Sequence, residues 1–502
     1  MNRTHFLPNS HELLQDLPNC TILSGPPGCG KSTAMIFEIA TVPGCYVLAA
    51  PRIDLLEEHA ERLRELAKGS ALVVVVIHSR QSERAVDRRL QKALDENSDA
   101  HIVVLTTHEG LMGLTAADTE GWHVRIDELP ETAIVSDVVG LGASWPALRD
   151  RYDLVPAPEA GWSRMVRRDD AEPLGLRQCL ADVGASGLTK LHRLANSRGR
   201  SVEVNIGAWA DASVSGKVVQ WRSIWTIASL RGCASVKIAA AGYTGSIIGH
   251  ATARVGGVHV EVVDLTARRT GQPRILVHWY TRCPGSTTYW DTHEGSACVA
   301  AIGRHLQRIG FGGFWMANKA AAPYLRHQFA GTEISPRSAG TNTLRGHVSC
   351  AAVYSSKATR ADEAVMAALD LDRRAIQIAR EDEDIAQAVT RGAIRDLDFS
   401  GNYDVHVYDE AQAARLRDRL LAGGYDDVTL VPVPEAGIMD VVRPVAVRGR
   451  QAAEEAIETA AERDERLRLA ELERGRRRRA KARNAQIEAG TYRGRGRPRR
   501  SA

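Results

Sequence analysis

The stretch ILSGPPGCGKSTAMIF, Ile22–Phe37, decides how the rest of the chain is read. Apolar residues lead into a glycine-rich loop that closes on Lys31-Ser32-Thr33 and opens into an apolar helical pattern. Within it GPPGCGKS, Gly25–Ser32, fits G-x-x-x-x-G-K-[ST] in the strand-to-helix setting that pattern requires. Glycine lets backbone N–H groups turn toward a phosphate, and the N-terminus of the following helix favours negative charge. The expected cradle for ATP is therefore Gly25, Pro26, Pro27, Gly28, Cys29, Gly30, Lys31, Ser32 and Thr33. In it Lys31 would reach the β- and γ-phosphates and the Ser32 hydroxyl would bind Mg²⁺.

At 502 residues the chain is too long for one ordinary domain, so two or three cores are expected. The longest apolar run, Ala71–Ile77, is strand-sized and too short to cross a membrane. MNRTHFLPNSHELL at the N-terminus has no apolar signal core, and the eight cysteines form no C-x-x-C pair. A membrane protein, a disulfide scaffold and a zinc module are thereby disfavoured, and a cytoplasmic protein with no membrane partner is expected. The net charge of +4 is unevenly spread: Arg474–Ala502 holds twelve Arg or Lys against Glu488 alone. That +11 leaves about −7 for the rest, so a polyanion would be drawn first to the tail.

Apolar strands alternate with helical patterns over the first 130 or so residues: TILSG, YVLAA, ALVVVVI, HIVVLTT and HVRIDE, with RIDLLEEHAERLRELA as one amphipathic helix. Strands of this kind separated by helices indicate a parallel sheet covered on both faces. Periodicity weakens through GASWPALRDRYDLVPAPEAGW, which reads as an insertion of mixed structure. From Ser235 the rhythm returns in VKIAAAGYT, HVEVVDL, RILVHWYT, FGGFWMANK, HVSCAAVYSS, AIQIA and DVHVYD. The expected division is a first α/β lobe over 1–138 whose core strands resume at about 235–265, and an insertion over 139–222. A second lobe over 266–447 and a charged helical or disordered tail over 448–502 complete it.

A triphosphate site of this kind needs a carboxylate at the end of a neighbouring strand. VRIDELPE supplies Asp127, for Mg²⁺, and Glu128, which would orient and deprotonate the attacking water. An adjacent acid pair also occurs as a plain solvated turn, and the glycine-rich loop about a hundred residues upstream weighs against that.

The order of these segments resembles the two-lobed core of a superfamily 2 helicase of the DEAD/DEAH-like group. GPPGCGKST is similar to motif I and DELP, Asp127–Pro130, to motif II. AAPRIDLLEEHAERL, with Pro51 and Arg52, and LTTHEGLM, with Thr107 and His108, are similar to segments that touch a nucleic-acid backbone. SAGTNTLRG, with Thr341 and Asn342, resembles motif V, and EDIAQAVTRGAIRD resembles motif VI. The resemblance implies two RecA-like lobes, with Arg391 as arginine finger, Arg395 as the second arginine and Gln387 as a polar contact to phosphate or water. Spaced i, i+4 and i+8, these three would share one helix face, which a solvated surface helix would also give. Thr390 stands where the family has glycine, and motif III is absent in plain form; IAAAGYTGS is its nearest equivalent and DLTARR the rival.

RGRGRPRR, Arg493–Arg500, resembles an AT-hook, in which Arg495, Arg497 and Arg499 would follow a narrow minor groove. A sequence-blind polycation would use the same residues. The function expected is an ATP-dependent, Mg²⁺-requiring helicase or translocase with nucleic acid, DNA ahead of RNA, as partner. The alternatives are an AAA+-type initiator or loader and a DNA-binding regulator switched by nucleotide.

Overall fold

The computed structural model describes residues 19–441 apart from residues 27, 82–85, 98–99, 131, 141–144, 158, 173–187, 213–217, 266–268, 337–342, 357–364 and 368. Apolar runs flanked by helices form parallel strands here because both sheet faces are covered. In CYVLAA, Tyr46 to Ala50 are all 1% exposed or less.

The first lobe is a seven-stranded parallel sheet built from β1 (Asn19–Ser24), β2 (Cys45–Ala50), β3 (Val73–Val76), β4 (Ile102–Thr107) and β5 (His123–Asp127). It is completed, far along the chain, by the strands Ser235–Ala239 and His259–Asp264. These become β11 and β12, because five strands of an insertion intervene. The order is β12-β1-β11-β5-β2-β4-β3. All strands run the same way, so the ends of β1, β2, β4, β5 and β11 lie at one edge, where the loops that could bind a ligand collect.

The insertion is an antiparallel sheet: β6 (Ile134–Gly140), β7 (Tyr152–Pro156), β8 (Trp162–Arg167), β9 (Val202–Asn205) and β10 (Val218–Ile224), in the order β6-β10-β9-β8-β7. It begins before residue 139 and is more regular than the mixed subdomain expected. Its short strands alternate buried and open positions, as in Val202-Glu203-Val204-Asn205, and that period is easily missed between Pro- and Gly-containing loops. The core holds Trp145 edge-on to Trp209 at 4.5 Å, with Trp221, Leu191 and Val219. Arg200 fastens the insertion to the first lobe by donating to the carbonyls of Thr132 and Ala133 at 2.5 and 3.0 Å.

The second lobe is a six-stranded parallel sheet of β13 (Arg274–Thr281), β14 (Phe314–Ala317), β15 (Thr332–Glu333), β16 (Ser349–Val353), β17 (Asn402–Asp409) and β18 (Asp427–Pro432). The order is β15-β14-β16-β17-β13-β18. The two expected parallel α/β lobes are thus present. AIQIA is not a strand: it lies in the helix Arg373–Val389, whose buried Ile376, Ile385, Ala386 and Val389 follow a helical period. The tail, including its AT-hook-like segment, lies outside the described residues. Among the described residues no helix is long and apolar enough to cross a membrane, and all seven cysteines are free.

Candidate nucleotide site

The loop after β1 turns through Gly25, Gly28 and Gly30 at φ 140, 86 and 91°, values that a side chain would strain. Lys31, the first residue of the helix Lys31–Thr41, folds over this loop and donates to the carbonyls of Gly25 and Pro26 at 2.6 and 2.9 Å. Its Nζ also lies 3.7 Å from Cys29 Sγ. A Cβ placed on Gly30 would meet nothing within 4 Å, so the turn is open on that side. Thr33, one turn on, accepts from Arg62 at 3.0 Å. Pro27 lies outside the described residues.

Asp127 ends β5 and is 4% exposed. Ser32 Oγ donates to its Oδ1 at 2.6 Å, while His59 Nε2 lies 2.7 Å from its Oδ2. The next residue, Glu128, sits at φ 65° with its N–H on the Ala239 carbonyl at 3.0 Å. A non-glycine residue held in that region costs about 1–3 kcal/mol, and such strain is characteristic of working sites. The left-handed step turns the chain off the sheet directly after Asp127.

The second lobe closes on this edge. A Cβ on Gly28 would lie 3.8 Å from Arg395 Cγ, one on Gly423 would lie 3.2 Å from Pro26 Cβ, and one on Gly242 would lie 3.1 Å from Glu383 Oε2. Gly242 belongs to the IAAAGYTGS segment, which therefore packs on the helix Arg373–Val389. Arg391 is 5% exposed. Burial pushes its guanidinium pKa down and the charge of Glu128 opposes this, while Arg395 and Arg52 push it down further. Arg395 is lowered by burial and then by Arg345, with Glu58 acting the other way.

The three motif VI-like residues do not share a helix face. The helix ends at Val389; Arg391 lies in the following turn and Arg395 closes the short 3₁₀ segment Ala393–Arg395. The turn beyond the helix is held by Tyr403. Gly392 packs against the Tyr403 ring, where any Cβ would overlap the hydroxyl, and that hydroxyl donates to the Val389 carbonyl at 2.8 Å. The turn, rather than helical periodicity, delivers both arginines to the first lobe. Gln387 stays on the helix and donates to Glu383 Oε1 at 2.9 Å. Glu383 also receives Arg419.

The residues expected to meet nucleic acid fare differently. Pro51 and Arg52, at the end of β2, are half-buried, and Arg52 caps the helix Ile53–Leu66. Thr107 ends β4, and its hydroxyl accepts from Gly110 N at 3.3 Å as a helix cap. His108 is only 5% exposed, with Nε2 2.9 Å from the Asp127 carbonyl, so a direct phosphate contact is closed to it in this conformation. Burial pushes its pKa down to about 4, which leaves it neutral at neutral pH. It supports the β5 end from within. Thr341, Asn342, Arg495, Arg497 and Arg499 lie outside the described residues.

Sequence reasoning missed His59. The signal was present: it stands among Leu56, Ala60 and Leu63, the buried stripe of its helix, where an imidazole needs a polar partner. The donor set at Ser32 and Asp127 suits a small hard cation. Among the described residues no three His, Cys, Asp or Glu side chains gather as a metal cluster, so a cation here would need oxygens from its ligand as well.

Among solved structures, the chain is similar to an XPD helicase at 9% identity, covering 84% of this chain and 97% of that one, with a TM-score of 0.48. It is similar to S. tokodaii Xpd4 at 10% identity, covering 85% and 98%, with a TM-score of 0.44. It is also similar to the DEAD-box helicase Mss116 bound to ssRNA and UDP-BeF, at 10% identity over 85% and 75%, with a TM-score of 0.32. No protein-family model matches the chain, and a search of curated proteins finds no match.

Proposed function

We propose that the protein is a divergent ATP-dependent nucleic-acid motor of the helicase or translocase type, acting in the cytoplasm and on DNA ahead of RNA. The observation that carries the reading is Arg391: a guanidinium from the second lobe, 5% exposed, near enough to the first lobe for the charge of Glu128 to act on it. A site assembled from two lobes hydrolyses only when they close, and that couples chemistry to movement.

The roles follow from the geometry. The loop amides and Lys31 would hold the β- and γ-phosphates, and Ser32 Oγ with Asp127 Oδ1 would hold Mg²⁺. Bound Mg²⁺ would supply charge neutralisation at the phosphate oxygens. Glu128 would orient a water and take its proton, while Arg391 and Arg395 would meet the charge that develops as the terminal phosphoryl departs. Pro51, Arg52 and the Thr107 turn stand at the same sheet edge and would track a strand's backbone without reading bases. Thr341, Asn342 and the tail arginines enter this reading on sequence alone.

A second parallel sheet of six strands stands where an AAA+ loader would carry a helical lid, which favours the motor. ATP turnover measured with and without single-stranded DNA or RNA tests it. Strong stimulation by either is expected, larger with DNA; nucleotide binding without turnover would support the switched regulator instead.

A further inference from the structure

We infer that the helix Ile53–Leu66 is the relay between the nucleic-acid edge and the hydrolytic centre, and that His59 is the positioning residue through which it sets Asp127. This deepens the motor reading and rests on it.

The helix reaches every part of the site. At its N-cap, Arg52 lies close enough to Arg391 for their charges to interact. Nearly two turns on, the charge of Glu58 acts on Arg395. His59 Nε2 stands 2.7 Å from Asp127 Oδ2, and Arg62 donates to Thr33 at 3.0 Å. Glu58, His59 and Arg62 fall on neighbouring faces of a single helix, so one rigid element addresses the second lobe, the strand-end carboxylate and the phosphate loop. The stripe on which His59 stands, with Leu56, Ala60 and Leu63, is buried, so the helix moves as a body or not at all.

His59 is a costly residue to bury for packing alone. It is 2% exposed, and its Nδ1 finds no hydrogen-bond partner among the described residues, an unmet need that an apolar residue on the same stripe would avoid. Its return is at Asp127. Ser32 engages one carboxylate oxygen and His59 the other, so the pair fixes the rotation of the carboxylate. A strand docking against Pro51-Arg52 would press on the start of this helix, and His59 would carry the displacement to Asp127.

The test uses the full chain with His59→Ala and His59→Gln, whose amide can still donate to Asp127. Binding of a fluorescent ADP analogue is measured with and without Mg²⁺, turnover with and without oligo-dT, and thermal unfolding alongside. His59→Ala should leave metal-free nucleotide affinity unchanged but lose about 10- to 100-fold of the Mg²⁺-dependent tightening, as outer partners of metal ligands do. It should also lose most of the oligo-dT stimulation, and His59→Gln should restore much of both. The relay is overturned if His59→Ala keeps the native Mg²⁺ dependence and stimulation. It is equally overturned if metal-free affinity falls in parallel, or if Gln restores nothing while melting as the parent does. Failure of the motor reading looks different: the unaltered chain itself would show no stimulated turnover.

Discussion

Ser32 and Asp127 are joined by a 2.6 Å hydrogen bond although β1, which leads into the loop and helix that carry Ser32, and β5, which ends in Asp127, are not neighbours: β11 lies between them. The strand that separates the phosphate loop from its acid is supplied more than a hundred residues further on, after the whole antiparallel insertion. The site therefore exists only once the chain has returned from that insertion.

Asp127→Asn keeps the shape but removes a charge that the Ser32 and His59 donors both face. Nucleotide binding without Mg²⁺ should be retained, while the gain in affinity on adding Mg²⁺ should fall about 10- to 100-fold. Titration of a fluorescent nucleotide with and without the metal measures it. Undiminished Mg²⁺ enhancement would remove Asp127 from the metal's coordination.

Gly392→Ala drives a methyl group into the Tyr403 hydroxyl and so displaces the turn that carries Arg391. Overpacking of this kind costs about 1–3 kcal/mol of stability in the second lobe. Turnover should fall while nucleotide affinity holds, a split that equilibrium binding and steady-state rates will reveal.

Glu38→Ala leaves Arg125, 2% exposed, without the carboxylate that stands 3.0 Å from its guanidinium. Breaking a buried pair from one side should destabilise the first lobe by about 3 kcal/mol, read from the denaturant midpoint. Burial pushes the Glu38 pKa up, but Lys237 and Arg125 together outweigh it and hold the carboxyl below its usual value. A depressed carboxyl contributes stability above its unfolded pKa and loses it as pH falls through the folded one, so the parent should weaken in acid. The variant should lack that part of the acid sensitivity.

His192 in the insertion core is pushed down to about 4 by burial and then by Arg151. Its folded pKa lies below the unfolded value of about 6.5, so the unfolded chain binds more protons between the two. Stability is full above that window and is lost as pH falls from about 6.5 toward 4. Unfolding of the insertion, followed by the fluorescence of Trp145, Trp209 and Trp221, should shift to lower denaturant at pH 5 than at pH 7. His192→Gln should flatten that shift, since the amide can still meet the Tyr152 hydroxyl 2.9 Å from His192 Nδ1.

Much of the first lobe was readable from the residues. Gly25-x-x-Gly28-x-Gly30 needs left-handed backbone, Lys31 and Ser32 follow in fixed order, and runs such as YVLAA are apolar throughout because helices cover both faces. These are local demands. The insertion sheet was not readable, since most of its strands alternate imperfectly, as in β8 and β10, and lie between Pro- and Gly-containing loops. For Arg391 and Arg395 the expected helix from 387 to 395 was wrong: the helix ends at Val389, and the close packing of Gly392 on Tyr403, eleven residues further on, is a tertiary contact that the local pattern does not show. His59 and His108 were hidden for the same reason. One read as part of an amphipathic face and the other as a surface contact, and only the fold brings both to Asp127.

The central claim is that two lobes share one hydrolytic site, and the most direct measurement compares Lys31→Ala with Arg391→Ala for nucleotide affinity and stimulated turnover. Both should lose turnover, Arg391→Ala by about a thousandfold or more, as arginine fingers do. Only Lys31→Ala should lose most of the affinity. If Arg391→Ala, folded and binding nucleotide, hydrolyses ATP at the parent rate, the account is contradicted.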